Sequence, residues 1–276
     1  MEKRIQKLEQ EFDQFARDYK ADEMMWDDRA RELKIYAKED KELPVFDFLK
    51  EYMDLKGKRV LDVGFGSGKY LVPFKRAGAD VYGVELSGKM VENAKAFMEE
   101  EEPGEYHLYK GPWEEVDLKE RGWENYFDLV FVSKSPVMNG TANFEKLLKA
   151  SRDKVFLITH ITKEDSVDQE IKKLIHWEER SKGLGVLYYI YNLLYLKGIF
   201  PDIKMAESER KNIDKASIMI QKYIHRYKKK GASEEELSLI REKLEELSSG
   251  DEMALSHKSV SAYIFFDVLK REDKFL

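Results

Sequence analysis

The spacing of apolar positions changes several times along the chain, and each change marks an element. Ile5, Leu8, Phe12 and Phe15 recur at helical spacing in a charged opening segment, which predicts an amphipathic helix with one face packed on the rest of the protein. From Arg59 the pattern becomes a short apolar run, Val60-Leu61-Asp62-Val63, ended by Gly64, Gly66 and Gly68 and followed by a helical stretch. A strand, a tight turn and a helix are expected there. Residues 81–84 predict a second strand, and Ser87 starts a helical pattern through Met90, Ala94 and Phe97. Residues 106–109, 127–132 and 154–159 predict three more strands, with a helix over 144–150 before the last. Apolar strands alternating with helices predict an α/β fold built on a parallel sheet covered on both faces.

After His160 the rhythm is lost. A helix is expected around 171–177, a buried apolar segment over 185–198 and a strand over 202–205. Ala216, Ile220, Tyr223 and Tyr227 form one helical face, and Ser233 and Glu236 have capping-box spacing ahead of Leu237, Ile240, Leu244 and Leu247. These predict two surface helices. Residues 259–266 predict a closing strand, so the helices read as an insertion before it. The expected organisation is a helical lid over 1–45 and a domain over 46–276 that carries the insertion at about 208–250.

Composition narrows the class. The chain has 276 residues, enough for a sizeable core, and 42% hydrophobic with 12% aromatic residues excludes a solvated polyelectrolyte. Lys+Arg 48 against Asp+Glu 54 leaves a net charge of -6, which gives no general attraction to nucleic acid or anionic membranes. The apolar stretch 185–200 holds Tyr, Asn and Lys and is shorter than the roughly 20 residues a spanning helix needs. With a charged opening segment and no cysteine, neither export nor a disulfide framework is expected, and a cytoplasmic location is. His107, His176, His225 and His257 lack metal-ligand spacing, so no metal is expected. The basic run 223–230 reads as a solvated helix end paired with the acidic helix after it.

Glycines after a first strand let backbone approach a ligand and leave the next helix's amides facing it. The dinucleotide fingerprint would need its third glycine where Lys69 stands, and no Gly-Lys-Ser/Thr follows the turn. Those spacings disfavour a nicotinamide cofactor and exclude a P-loop. The run from Val60 to Gly68, Val-Leu-Asp-Val-Gly-Phe-Gly-Ser-Gly, closely resembles the first motif of class I S-adenosylmethionine-dependent methyltransferases, and the resemblance covers roughly 58–160.

The resemblance implies a Rossmann-like fold, a doubly wound, mostly parallel seven-stranded sheet, with S-adenosylmethionine as cofactor and S-adenosylhomocysteine as product. It implies that Glu85, at the end of the second strand, binds the ribose hydroxyls; a carboxylate can accept both hydrogen bonds of a vicinal diol. Asp62, at the glycine turn, is implied near the cationic methionine end. Gly64, Phe65, Gly66, Gly68, Leu86, Trp113, Glu114 and Ser133 complete the implied cofactor set, although Pro112 stands where an acidic residue is commoner. The turn 132–136 aligns with the family's substrate-facing turn and is not the Asn/Asp-Pro-Pro-Tyr/Phe motif of amino-methylating nucleic-acid enzymes.

Residues 26–30, 191–195, 198–201 and the closing strand look similar to a poorly characterised small-molecule-type subgroup. Trp26, Arg29, Tyr36, Ser135 and Asn192 are the candidates for the substrate pocket. His160, ending the fifth strand, is the candidate base, since imidazole titrates in the useful range. The expected activity is in-line methyl transfer to a small-molecule acceptor, with no nucleic-acid or membrane partner and the oligomeric state left open. An RNA or protein methyltransferase and a non-catalytic S-adenosylmethionine-binding protein are the competing readings.

Overall fold

The computed structural model describes residues 2–15, 19–32, 44–177 and 185–269. Three helices come first, α1 (Glu2–Asp13), α2 (Tyr19–Glu32) and α3 (Pro44–Lys50). Strands and helices then alternate: β1 (Arg59–Val63), α4 (Leu71–Arg76), β2 (Asp80–Glu85), α5 (Gly88–Glu101), β3 (His107–Lys110), β4 (Phe127–Ser133), α6 (Thr141–Ala150) and β5 (Ser151–Asp165). The rest of the chain forms α7 (Ser166–Leu174), α8 (Val186–Leu196), β6 (Asp202–Lys215), α9 (Ala216–Lys230), α10 (Glu234–Glu246), β7 (Ser248–Ser249) and β8 (Glu252–Asp267).

Seven strands lie in the order β3-β2-β1-β4-β5-β8-β6, and the two-residue β7 pairs antiparallel with β8. The pairs β1–β2, β2–β3, β1–β4 and β4–β5 are all parallel. This is the doubly wound, mostly parallel sheet expected. Its chain order reverses between β1 and β4, the point at which open α/β sheets form a ligand crevice beyond the strand ends. Val60, Leu61, Val63 and 129–132 are buried, because a central parallel strand meets apolar neighbours on both faces.

By Cα packing the chain divides into two compact units. The first comprises the described residues within Met1–Thr159, Val186–Lys204 and Tyr263–Leu276, and the second those within His160–Gly185 and Met205–Ala262. In the first unit Phe12 stacks on Tyr189 of α8 at 5.4 Å, and Phe15 approaches the same ring at 5.4 Å. Asp13 accepts the backbone N–H of Thr141 at 2.7 Å, which ties the end of α1 to the start of α6. The segment 185–198 departs from the expectation of full burial. Tyr189, Ile190, Leu193 and Leu194 are buried, whereas Tyr188, Tyr191 and Tyr195 are exposed, as the 3.6-residue turn of a one-sided helix requires.

The second unit packs Ile171, Tyr223, Tyr227, Ile240, Leu244 and Met253 into a core of its own. Asp165 caps α7, accepting from the N–H of Val167 at 3.1 Å and of Asp168 at 3.0 Å, and takes the Tyr223 hydroxyl at 2.7 Å. Asp168 accepts from Arg226 and the Tyr227 hydroxyl, each at 3.1 Å, and pairs with Lys172 at 2.8 Å. Burial works to raise the Asp168 pKa, but those donors outweigh it and hold the carboxyl below its ordinary value. The capping box forms as the spacing predicts, with Ser233 and Glu236 each accepting the other's backbone N–H. α9 stops at Gly231, in the left-handed region at φ 93°, with Lys228, Lys229 and Lys230 in its last turn.

Three strands run longer than predicted. β5 covers 151–165 rather than 154–159, β6 covers 202–215 rather than 202–205, and β8 covers 252–267 rather than 259–266. The added residues are largely polar and charged, and no residue of β6 is buried. β6, wet on both faces, has no apolar alternation to read.

Candidate functional site

A cleft of about 210 Å³ opens beyond the C-terminal ends of β1, β2 and β4, at the reversal of strand order. Its floor is the glycine turn. Gly64 has φ +76°, and a Cβ there would lie 2.8 Å from the Ser135 Cβ and strike the Ser135 hydroxyl. Gly66 is different: at φ +57° a Cβ would meet nothing within 4 Å, so the residue is required for its left-handed backbone. Its N–H donates to Glu85 Oε2 at 2.9 Å, while Glu85 Oε1 accepts from the N–H of Ser87 at 2.9 Å. The carboxylate thereby joins the glycine turn to the start of α5.

Asp62 is 1% exposed, and neither of its carboxylate oxygens has a hydrogen-bond partner among the described residues. Burial pushes its pKa well above the usual carboxylate value, and the charge of Glu85 adds to the rise. A buried carboxylate without donors is costly, and a polar group left so at a cleft wall is fitted to a complementary group of a ligand.

The apolar walls are Phe65, Leu86 and Trp113. Gly83 leaves room for the Phe65 ring, since a Cβ there would lie 2.9 Å from Phe65 Cε1. Trp113 is held from behind. Lys146 Nζ donates to the carbonyls of Trp113, Glu114 and Val116 at 3.0, 2.9 and 3.1 Å, fixing the single helical turn 113–115. Burial lowers the Lys146 pKa despite Glu114 and Asp117.

On the opposite side stand Ser133, Lys134 and Ser135, with Lys69 and Tyr70 after the glycine turn. Lys134 has φ +53°, a conformation that costs a side-chain-bearing residue about 1–2 kcal/mol. Its N–H donates to Ile158 O at 2.8 Å, and Ser135 caps the turn that follows by accepting from the N–H of Val137 at 3.5 Å. Trp26 enters the lining from α2. Asp27 pins that helix to the start of α5, accepting from Ser87 Oγ at 2.5 Å and the N–H of Lys89 at 3.1 Å. Glu23 pairs with Lys110 at 2.6 Å.

Ten predicted residues thus meet in one cleft: Asp62, Gly64, Phe65, Gly66, Glu85 and Leu86, together with Trp113, Ser133, Trp26 and Ser135. Gly68 packs on Ala94 of α5 instead, and the Glu114 carboxylate accepts from Asn143 Nδ2 at 3.1 Å outside the lining. Asn192 is half-buried on α8, donating to Tyr188 O at 2.7 Å, and is not among the cleft residues. Nor is His160, an exposed residue of β5. Tyr36 and the Arg29 side chain lie outside the described residues. Lys69, Tyr70 and Lys134 were not foreseen in the cleft, nor were Gly83 and Lys146 behind it.

Residues 60–155 match the family described as "Methyltransferase domain". Two uncharacterized proteins of Haemophilus influenzae are similar: one is 28% identical over 157 residues, 54% of this chain and 54% of the relative. The other is 30% identical over 141 residues, 49% of this chain and 53% of the relative. The matched part of the chain spans about half the length of each. Among solved structures, magnesium protoporphyrin IX methyltransferase from Synechocystis PCC 6803 with bound SAH is similar, with a TM-score of 0.52 and 15% identity over 90% of this chain and 99% of that one. That likeness shows the fold. No helix among the described residues is long and apolar enough to cross a membrane.

Proposed function

We propose that this protein, whose residues 60–155 match a methyltransferase domain, is a class I S-adenosylmethionine-dependent enzyme that transfers a methyl group from S-adenosylmethionine to a small-molecule acceptor. The observation that carries the reading is Asp62: a buried, unpartnered carboxylate beside the glycine turn, at the switch point of the sheet. A cationic group beside it would offset the charge that burial disfavours.

The other residues fit the same cofactor. Glu85 can accept from both ribose hydroxyls, and the backbone of Gly64 and Gly66 permits close approach. Phe65, Leu86 and Trp113 offer apolar walls to a planar base. When bound, the cofactor supplies a methyl carbon made electrophilic by its sulfonium. Asp62 orients the cationic end, the walls exclude water, and Trp26 and Ser135 hold the acceptor in line from the open side. Most of the rate then comes from positioning, and no cleft residue is assigned as a base.

A net charge of -6 favours a small acceptor over a nucleic acid. The test is to incubate the protein with methyl-tritiated S-adenosylmethionine and cell extract, then separate small molecules, RNA and protein. Label is expected in the small-molecule fraction. Label in RNA or protein would overturn the acceptor class, and binding with no transfer to any fraction would overturn the activity.

A further inference from the structure

β6 is the last strand in the sheet order, so among the described residues one of its edges has no neighbouring strand. It is 14 residues long, none buried, and Met205 and Ile213 stand 53% and 67% exposed. An open edge of this length is a template for another strand unless its side chains forbid pairing. Charges of one sign would forbid it. Here the signs are mixed, with Lys204, Arg210 and Lys211 among Glu207, Glu209 and Asp214.

We propose that this edge is a self-association surface, on which β6 of a second copy of this chain pairs antiparallel about a two-fold axis at Glu209. A two-fold axis normal to a sheet leaves upward side chains upward. Residue i can therefore oppose residue j only when i + j is even, and the register must centre on a residue, never between two. Centring on Glu209 sets Lys204 opposite Asp214, Met205 opposite Ile213, Glu207 opposite Lys211 and Ser208 opposite Arg210. The exposed apolar side chains meet each other, opposite charges meet twice over, and each pairing recurs by symmetry. Only Glu209 faces its own copy. Its carboxylate already has Lys211 at 3.7 Å and Lys258 at 3.9 Å to offset the like charge.

The neighbouring registers fail. Centring on Ser208 opposes Glu207 to Glu209 and Met205 to Lys211, while centring on Arg210 opposes that arginine to itself and Met205 to Lys215. Like charges directly across a ladder are destabilising, so the side chains of β6 select one alignment.

The chain has no cysteine, so Glu209→Cys introduces a single thiol. In the proposed register its two copies have Cα atoms about 5 Å apart, within disulfide reach. The copies of an Ala206→Cys thiol lie about 20 Å apart along the strand. Mild oxidation should convert the Glu209→Cys protein to a covalent dimer on a non-reducing gel and leave the Ala206→Cys protein monomeric. In sedimentation of the full chain, Glu207→Lys and Lys211→Glu should each weaken the dimer about tenfold or more, and the double exchange should restore it. Circular dichroism confirms that each variant is folded. Native protein sedimenting as a monomer throughout, equal cross-linking of both cysteine variants, or a double exchange no better than the single ones would overturn the proposal.

Discussion

Asp62 stores an electrostatic cost that the ligand-free fold bears alone, and this has a measurable sign. Its pKa is raised in the folded state, so the fold binds more protons than the unfolded chain above the ordinary Asp value. Stability contributed by Asp62 is therefore lost as pH rises from that value through the raised one. Asp62→Asn removes this slope: its melting temperature relative to wild type should climb as pH rises above the ordinary Asp value, by roughly 2–4 °C for each kcal/mol recovered. The same variant should bind S-adenosylmethionine more weakly. A cation beside Asp62 lowers its pKa, so binding the sulfonium should release protons and binding the uncharged thioether S-adenosylhomocysteine should release fewer. Calorimetry in buffers of differing ionisation enthalpy reads that difference. At Gly64 the obstacle is steric, and Gly64→Ala should cost about 1–3 kcal/mol in chemical denaturation, only partly relieved by Ser135→Gly because the left-handed φ remains. Asp62, Glu85 and the glycines were legible because they stand in short motifs at strand ends, to which the family resemblance assigns a place in the cleft. Lys134 was not, since its positive φ depends on a hydrogen bond to Ile158 on the next strand.

The elements framing the cleft were mostly legible, and the pins between them were not. Helical periodicity found α1, α5, α9 and α10, and Ser87 and Ser233 were read as helix starts. Nothing in the periodicity of α2 announces that Asp27 reaches Ser87 and Lys89, about 60 residues on along the chain, and so brings Trp26 to the cleft. Asp27→Ala should speed hydrogen exchange in α2 and raise KM for the acceptor more than it lowers kcat. Lys146 and Trp113 are likewise joined across some 33 residues, and Lys146→Met should destabilise the 113–115 turn by about 1.5–3 kcal/mol and weaken cofactor binding. Ser233→Ala, in the second unit, should cost about 1 kcal/mol in denaturation with cofactor affinity unchanged.

The central sheet could be anticipated as parallel because its strands are apolar runs alternating with helices, whereas their order comes from the structure. The wet parts of β5 and β6 could not, because strands exposed to water carry no periodic signal. Everything proposed about chemistry depends on one assignment, that the cleft beyond β1, β2 and β4 holds S-adenosylmethionine. Calorimetric titration of the folded protein with S-adenosylmethionine, S-adenosylhomocysteine and NADH, alongside Glu85→Ala and Gly66→Val, tests it directly. Micromolar affinity for both adenosyl ligands, about -8 kcal/mol, weakened at least about tenfold by either substitution and absent for NADH, is the predicted result. Binding of NADH alone, or of none of the three by a folded protein, would contradict the account.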